Sequence, residues 1–474
     1  MAAKLLLALI FLGTLVPFLH GVTTATSLPP LNGSDGGFSL RLTAKHQPVH
    51  DLVSLQRAKD HVKCRITNHL LPPGTTTNIT VNAISPPMCP LADTVYAVMV
   101  AVGTENGYHE YELALDMATG LTWMRCVPCN PRMAQFNPVF NPSESPTFRR
   151  VPASDSVLCR APNEPQESGL CAFHISYPGS PTPTSATGYL AKDTFSFLKG
   201  SNEGGLEQLQ GMVFGCAVHT TEFHNQDVLA GVLGLGMWRS VMHPRTTFTD
   251  QVNHGQGVRF SYCPYTPGMS THSFLRFGAD IPRQPPSSVH RQSTPILTPI
   301  RKSGYSYYVK LVGVSVGGNP VPGVTPRMFR RLNSGLGGCV IDIGTKMTGF
   351  VDEAYIHIEK AVRLHLQHHG AHFVRLQGHH LCVHQPAPHH DVLPSLTLHF
   401  DDGAWLRVRP EHVFMKIVFE AGHQYQCLGL VSNGHMTVIG AMQQINHRFI
   451  FDLHPRYPTL TWNPEACHLD ASPS

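Results

Sequence analysis
From Val95 onward the chain is written in short apolar or alternating runs, each bounded by Gly, Pro or Asp. Examples are YAVMVAV (96–102), YELALD (111–116), GMVFG (211–215), YVKLVGVSV (308–316), GGCVIDI (337–343), SLTLHF (395–400) and LRVRP (406–410). Alternation with a period of two turns one side of a strand toward a core, and short continuous apolar runs suit strands buried on both sides. Helical spacing is confined to VDEAYIHIEKAVRLHLQ (351–367) and RTTFTDQV (245–252). A Pro-rich stretch, DIPRQPPSSVHRQSTP (280–295), divides this region. The pattern predicts an all-β protein with a few short helices: one lobe over 91–280, a linker over 281–295 and a second lobe over 296–474.

The two halves repeat one another. Each has an apolar strand ending in aspartate, LALD at Asp116 and CVID at Asp342. Each later has an apolar-apolar-Gly run, VLGLG (232–236) and VIGAM (438–442). An internal repeat of this kind implies two similar lobes, each giving one carboxylate to a shared cleft.

Composition narrows the compartment. The 474 residues are 42% hydrophobic and 14% charged, enough apolar surface for a large core and against broad disorder. A net charge of +4 is too small to imply a nucleic-acid partner, and the 30 histidines read as a solvated surface. The stretch HLQHHGAHFVRLQGHHLCVHQPAPHH (365–390) lacks regular ligand spacing and has no carboxylate until Asp391, so no metal or other cofactor is expected. Residues 1–25 have a lysine, a short apolar run broken by Pro17 and then small residues, the form of a secretory signal peptide cleaved between Gly21 and Ala25. No later run has the length and apolarity of a membrane span, and the tail CHLDASPS is too polar for a lipid-anchor signal. A soluble, secreted protein is expected. Twelve cysteines on an exported chain favour disulfides. Cys126 and Cys129 form a C-x-x-C, but no second one completes a zinc site, so they read as separate half-cystines. Glycosylation sequons stand at Asn32 and Asn78.

Two carboxylates meeting in a cleft cannot both ionise cheaply; they share a proton and their pKa values split. The ionised member can take a proton from water as it attacks a peptide carbonyl, while the protonated member stabilises the oxyanion and supplies the leaving amine. Around the aspartates, LALDMATGLTWMRCVPC, CAFHISYPGS, TGYLAKDTFSF, DVLAGVLGLG, FSYC, YYVKLVGVSVGG, GGCVIDIGTKMTGF, CLGL and TVIGAMQQINHRFIFDL occur in order. In these motifs the chain resembles the pepsin-like aspartic proteases, most closely their nepenthesin-like plant group, from about Val95 to Trp462.

That resemblance implies a two-lobed pepsin-like fold with pseudo-twofold symmetry, an extended peptide or protein substrate, and a monomer. It implies that Asp116 and Asp342 are catalytic, that Thr119 and Thr345 support their carboxylates, and that Gly344 keeps the family's glycine. Tyr177 matches the flap tyrosine and Trp123 the indole that can donate to it, although Trp123 also reads as a plain core residue. Residues 26–90, turn-rich and carrying Lys45, Arg57, Lys59, Lys63 and Arg65, fit a prosegment or a disordered leader. Cys382 with Cys427 resembles the second-lobe disulfide, and Cys216 with Cys263 is a further expected pair.

The departures bear on activity. The family has Thr or Ser directly after each aspartate, with a hydroxyl that bonds across to the other lobe; here Met117 and Ile343 stand in those places. Ala118 replaces a glycine, and Pro178, Pro181 and Pro183 fall in the flap segment. Two functions follow from the resemblance: a secreted aspartic endopeptidase of the apoplast or vacuole, or a catalytically silent binding protein similar to the xylanase inhibitors of plant cell walls.

Overall fold
The computed structural model describes residues 37–44 and most of 96–470. Outside the description, within that span, lie 105–106, 129–138, 161, 178–183, 200–205, 222–228, 238–245, 253–256, 267–272, 284–290, 298–305, 333–335, 377–379, 386–391 and 419–423. The signal peptide, both sequons, Cys64, Cys89, Cys129 and the three flap prolines therefore lie outside the described residues.

The alternating runs form strands, and just over half of the strands among the described residues join one 15-stranded sheet that draws on both halves of the chain. A 5-stranded and two 4-stranded sheets complete the second half. The halves are joined where Arg259–Tyr262 pairs antiparallel with His447–Asp452, in the register Phe260↔Phe451 and Tyr262↔Phe449. The Phe260 and Phe451 rings stack with centroids 4.7 Å apart, so the seam is packed as well as hydrogen-bonded. Behind the seam Arg448 binds Glu465 and Asp470, and Arg276 also donates to Asp470. Burial alone would raise the Asp470 carboxyl, but the two guanidiniums outweigh it and hold its pKa below the usual carboxylate range.

Phe38–Ala44 lies inside this sheet, pairing with Ser273–Phe277 (Leu40↔Leu275) and with Tyr96–Thr104 (Leu42↔Val98). The far end of the Pro-rich stretch is also built in: Gln292–Pro295 is a strand beside Thr459–Pro464. The longer expected helix is found as Asp352–His368, burying Ala354, Ile358, Val362 and Leu366 on one face. Acidic residues in its first turn, Asp352 and Glu353, complement the helix dipole. Of RTTFTDQV only Phe248–Gln251 is helical, begun by Thr247, whose hydroxyl accepts the Asp250 N–H.

Cys382 and Cys427 are bonded, as directly opposed residues on antiparallel strands. The expected Cys216–Cys263 pair is corrected: Cys216 bonds Cys126, and Cys263 bonds Cys467. The strand Trp123–Arg125 runs parallel beside Leu206–Thr221, which brings Cys126 to Cys216, whereas Cys263 directly follows the seam strand Arg259–Tyr262 and bonds the C-terminal turn Cys467–Leu469. Cys126 is thus a half-cystine in its own right. Cys159–Cys171 is a further bond, and Cys339 is a buried free thiol.

Candidate active site
Each aspartate ends a buried strand and is followed by a tight loop. Gly107–Asp116 carries Asp116 and runs parallel to Gly231–Gly234, placing Gly234 opposite the aspartate. Cys339–Ile341 leads into Asp342 and runs parallel to Thr437–Ile439, so Gly440 follows in the equivalent place. Both glycines are needed for close approach. A Cβ on Gly234 would lie 2.6 Å from the Thr119 carbonyl oxygen, and one on Gly440 would lie 2.4 Å from the Met347 carbonyl carbon.

The two carboxylates are held alike. Asp116 Oδ1 accepts the Ala118 N–H (2.7 Å) and its Oδ2 accepts the Thr119 hydroxyl (2.7 Å). Asp342 Oδ1 accepts the Gly344 N–H (2.9 Å) and its Oδ2 accepts the Thr345 hydroxyl (2.6 Å). Both side chains are buried, and bonds of this charge-assisted kind contribute about 1.5–3 kcal/mol each toward offsetting that burial. Ala118 does the work expected of a glycine without strain, because among the described residues the one non-glycine at positive φ is Asn446. Its backbone N–H is what the loop uses, and a Cβ does not remove it.

Two threonines escaped the reading of the sequence. The Gly234 N–H donates to Thr122 Oγ1 (3.2 Å), and the Gly440 N–H donates to Thr348 Oγ1 (3.0 Å). The signal was present as a repeated D-x-x-T-x-x-T, at 116, 119 and 122 and again at 342, 345 and 348. The inner threonine orients the carboxylate and the outer one fixes the neighbouring glycine strand.

Met117 and Ile343 are both fully buried and belong to one continuous apolar cluster. The lobes are also bridged by polar groups near the loops. Tyr262 donates to Gln444 Oε1 (2.7 Å) with the Met117 sulfur 3.7 Å from the same hydroxyl. Tyr307 donates to the Leu235 carbonyl (2.5 Å). Burial, then the Asp342 carboxylate and Tyr307, push the Tyr262 pKa well above its ordinary value, so it stays a donor.

Trp123 is fully buried in the strand between Leu206–Thr221 and Gly231–Gly234. Tyr177 ends the strand Cys171–Tyr177 opposite Thr184; its side chain and residues 178–183 are outside the description, so the expected pairing with Trp123 lies outside it too. Among the described residues there is no cluster of three or more His, Cys, Asp or Glu arranged to hold a metal ion. No described helix is long and apolar enough to cross a membrane.

Comparison with known proteins converges on this arrangement. A family model for the xylanase inhibitor N-terminal region matches residues 96–279, and one for the C-terminal region matches 306–457. Aspartic proteinase nepenthesin-2 of Nepenthes gracilis is 27% identical over 373 residues, 76% of each chain. Aspartyl protease family protein 2 of Arabidopsis thaliana is 27% identical over 435 residues, 88% of this chain and 79% of its own length. The crystal structure of edgp is similar with a TM-score of 0.62 at 15% identity, covering 94% of this chain and 98% of that one. Basic 7S globulin from soybean gives 0.57 at 16% identity, covering 80% and 95%. At these identities the two structures speak for the fold alone. With its paired aspartate loops, its lobed β-architecture and these relatives, the chain belongs to the pepsin-like aspartic proteases, in their nepenthesin-like plant group.

Proposed function
We propose that this protein is a secreted aspartic endopeptidase in which Asp116 and Asp342 share one proton and activate water against a peptide bond. The observation that carries this reading is the matched support of the two carboxylates, each taking one backbone N–H and one threonine hydroxyl. A carboxylate so held has its oxygens fixed in direction before substrate arrives, which is the preorganisation that acid–base catalysis needs. Thr119, Thr345 and Gly344 serve that support, and Tyr177, at the hairpin tip, closes over an extended peptide bound by a single copy of the chain.

The signal peptide and the disulfides among the described residues support export through an oxidising compartment to the apoplast or vacuole. Residues 26–90 act as a prosegment. Phe38–Ala44, by occupying a place in the central sheet, supports a prosegment that folds with the enzyme.

The competing reading, a silent binding protein similar to the xylanase inhibitors, draws on Met117 and Ile343 where crossing hydroxyls are expected. The retained threonines favour the enzyme, since a scaffold without chemistry has no need to orient two buried carboxylates. The deciding experiment incubates processed protein with a denatured protein substrate at about pH 3 to 5, with and without a dyad-directed transition-state analogue. Cleavage that is abolished by the analogue and by Asp116→Asn is the expected result. Correctly processed protein that neither cleaves nor binds the analogue would overturn the proposal in favour of the binder.

A further inference from the structure
We propose that Tyr262 is a positioning residue for the dyad: with Gln444 it ties the two aspartate loops together in place of the hydroxyls missing at Met117 and Ile343. The inference rests on the reading of Asp116 and Asp342 as a catalytic pair.

The connection can be followed atom by atom. The Tyr262 hydroxyl touches the Met117 sulfur (3.7 Å), the residue next to Asp116, and donates to Gln444 Oε1 (2.7 Å). Gln444 Nε2 then donates to the Ile439 carbonyl (2.9 Å). That same carbonyl accepts the backbone N–H of Asp342 (3.1 Å). One buried path thus runs from the first loop to the backbone of the second aspartate. A second path runs in the opposite sense. The Asp116 carbonyl accepts the Leu235 N–H (2.7 Å), and the Leu235 carbonyl accepts the Tyr307 hydroxyl (2.5 Å). Tyr307 stands opposite Ile341, on the strand that leads into Asp342.

A merely structural tyrosine needs one acceptor for its hydroxyl, as Tyr96 has in the Tyr265 carbonyl. Tyr262 instead sits between a side chain beside one aspartate and a glutamine clamped at both ends beside the other. Both Tyr262 and Gln444 are fully buried, so neither can relax toward water if the link is cut. Lateral cohesion matters here because a displacement of about 1 Å between reacting groups can cost on the order of 100-fold in rate.

The test compares wild type, Tyr262→Phe and Gln444→Met with a control, Tyr96→Phe. Tyr96 is equally buried and donates to the Tyr265 carbonyl (2.6 Å), which belongs to neither of the two paths. The expected result is a fall in kcat of about 10-fold for Tyr262→Phe and Gln444→Met, with KM within about 2-fold, as loss of positioning in the transition state requires. Tyr96→Phe should lose thermal stability to a similar degree yet keep kcat within about 2-fold. If Tyr262→Phe fails to fold, Gln444→Met carries the test alone. Active wild type with kcat unchanged in both variants, or lowered equally in the control, overturns this inference and leaves the protease reading standing. Wild type that does not cleave at all overturns both.

Discussion

The loops DMATGLT and DIGTKMT share only the aspartate and two threonines, yet they place the same bonds on the same carboxylate atoms. Four of seven positions differ, including Ala118 against Gly344 and Gly120 against Lys346. The difference teaches which features shape the loop. A hydroxyl at the third position after the aspartate reaches the carboxylate, a hydroxyl at the sixth reaches the glycine of the adjoining strand, and that glycine lets the backbones close up. The intervening side chains are free to vary as long as the backbone N–H at the second position is kept. Where the loops differ in consequence is in their bracing. The first leans on Leu235 by a backbone bond and on Tyr262 through Met117, and the second on the side-chain amides of Gln443 and Gln444, each set within its own half of the chain.

The most severe way to break the comparison is to remove one charge at a time. Asp116→Asn and Asp342→Asn should each lower kcat/KM by about 10³-fold or more, because the pair acts as a unit. An unequal result, with one variant near wild type in cleavage assays, would mean that the loops are alike in form only.

Acidification should separate the lobes next. His412 is buried beside Asn446 in the second lobe, and its carbonyl takes the Gln443 amide. Burial pushes its imidazole pKa down to about 4. Unfolded, it would take up a proton near pH ~6.5, so between these values the unfolded chain binds more protons and stability falls as pH is lowered. His447, lowered by the same cause, adds to that slope. Thermal melts at pH 7 and 4 should show His412→Leu losing less stability than wild type, by on the order of 3 kcal/mol at the acid end. Parallel curves for the two proteins would show that the imidazole is not the sensitive group.

The threonines offer a finer comparison. Thr119→Val and Thr345→Val each remove one bond to a carboxylate, and each should cost about 1.5–3 kcal/mol of stability and about 10-fold in kcat. Urea melts and steady-state kinetics should place the two within a factor of about 2 of each other. The smallest effect belongs to Ala118→Gly. It restores the residue found at Gly344 without adding a bond, so kcat should stay within about 2-fold and stability should fall by less than about 1 kcal/mol. A large gain in rate would show that the Ala118 Cβ does obstruct the cleft.

Much of the fold was legible because it is written locally. Period-two runs predicted strands, the helical look of VDEAYIHIEKAVRLHLQ predicted the long helix, and the repeated aspartate strands predicted paired loops. What escaped is encoded at a distance. Tyr262 and Gln444 are 182 positions apart and meet only because the seam strands set their register. Cys126 finds Cys216 through a parallel pairing that no local motif announces. Phe38–Ala44 reads as part of a turn-rich leader, since its partners Leu275 and Val98 lie far along the chain. Thr122 and Thr348 were legible in principle, through a spacing that becomes visible only when the two loops are set side by side.

The central claim is most directly tested by kcat/KM for a synthetic peptide as a function of pH from about 2 to 7, for wild type and each Asp→Asn variant. A bell-shaped profile with both limbs on the acid side of neutrality, lost in both variants, is the predicted result. A rate that keeps rising toward neutral pH, or that survives in either variant, would contradict the account.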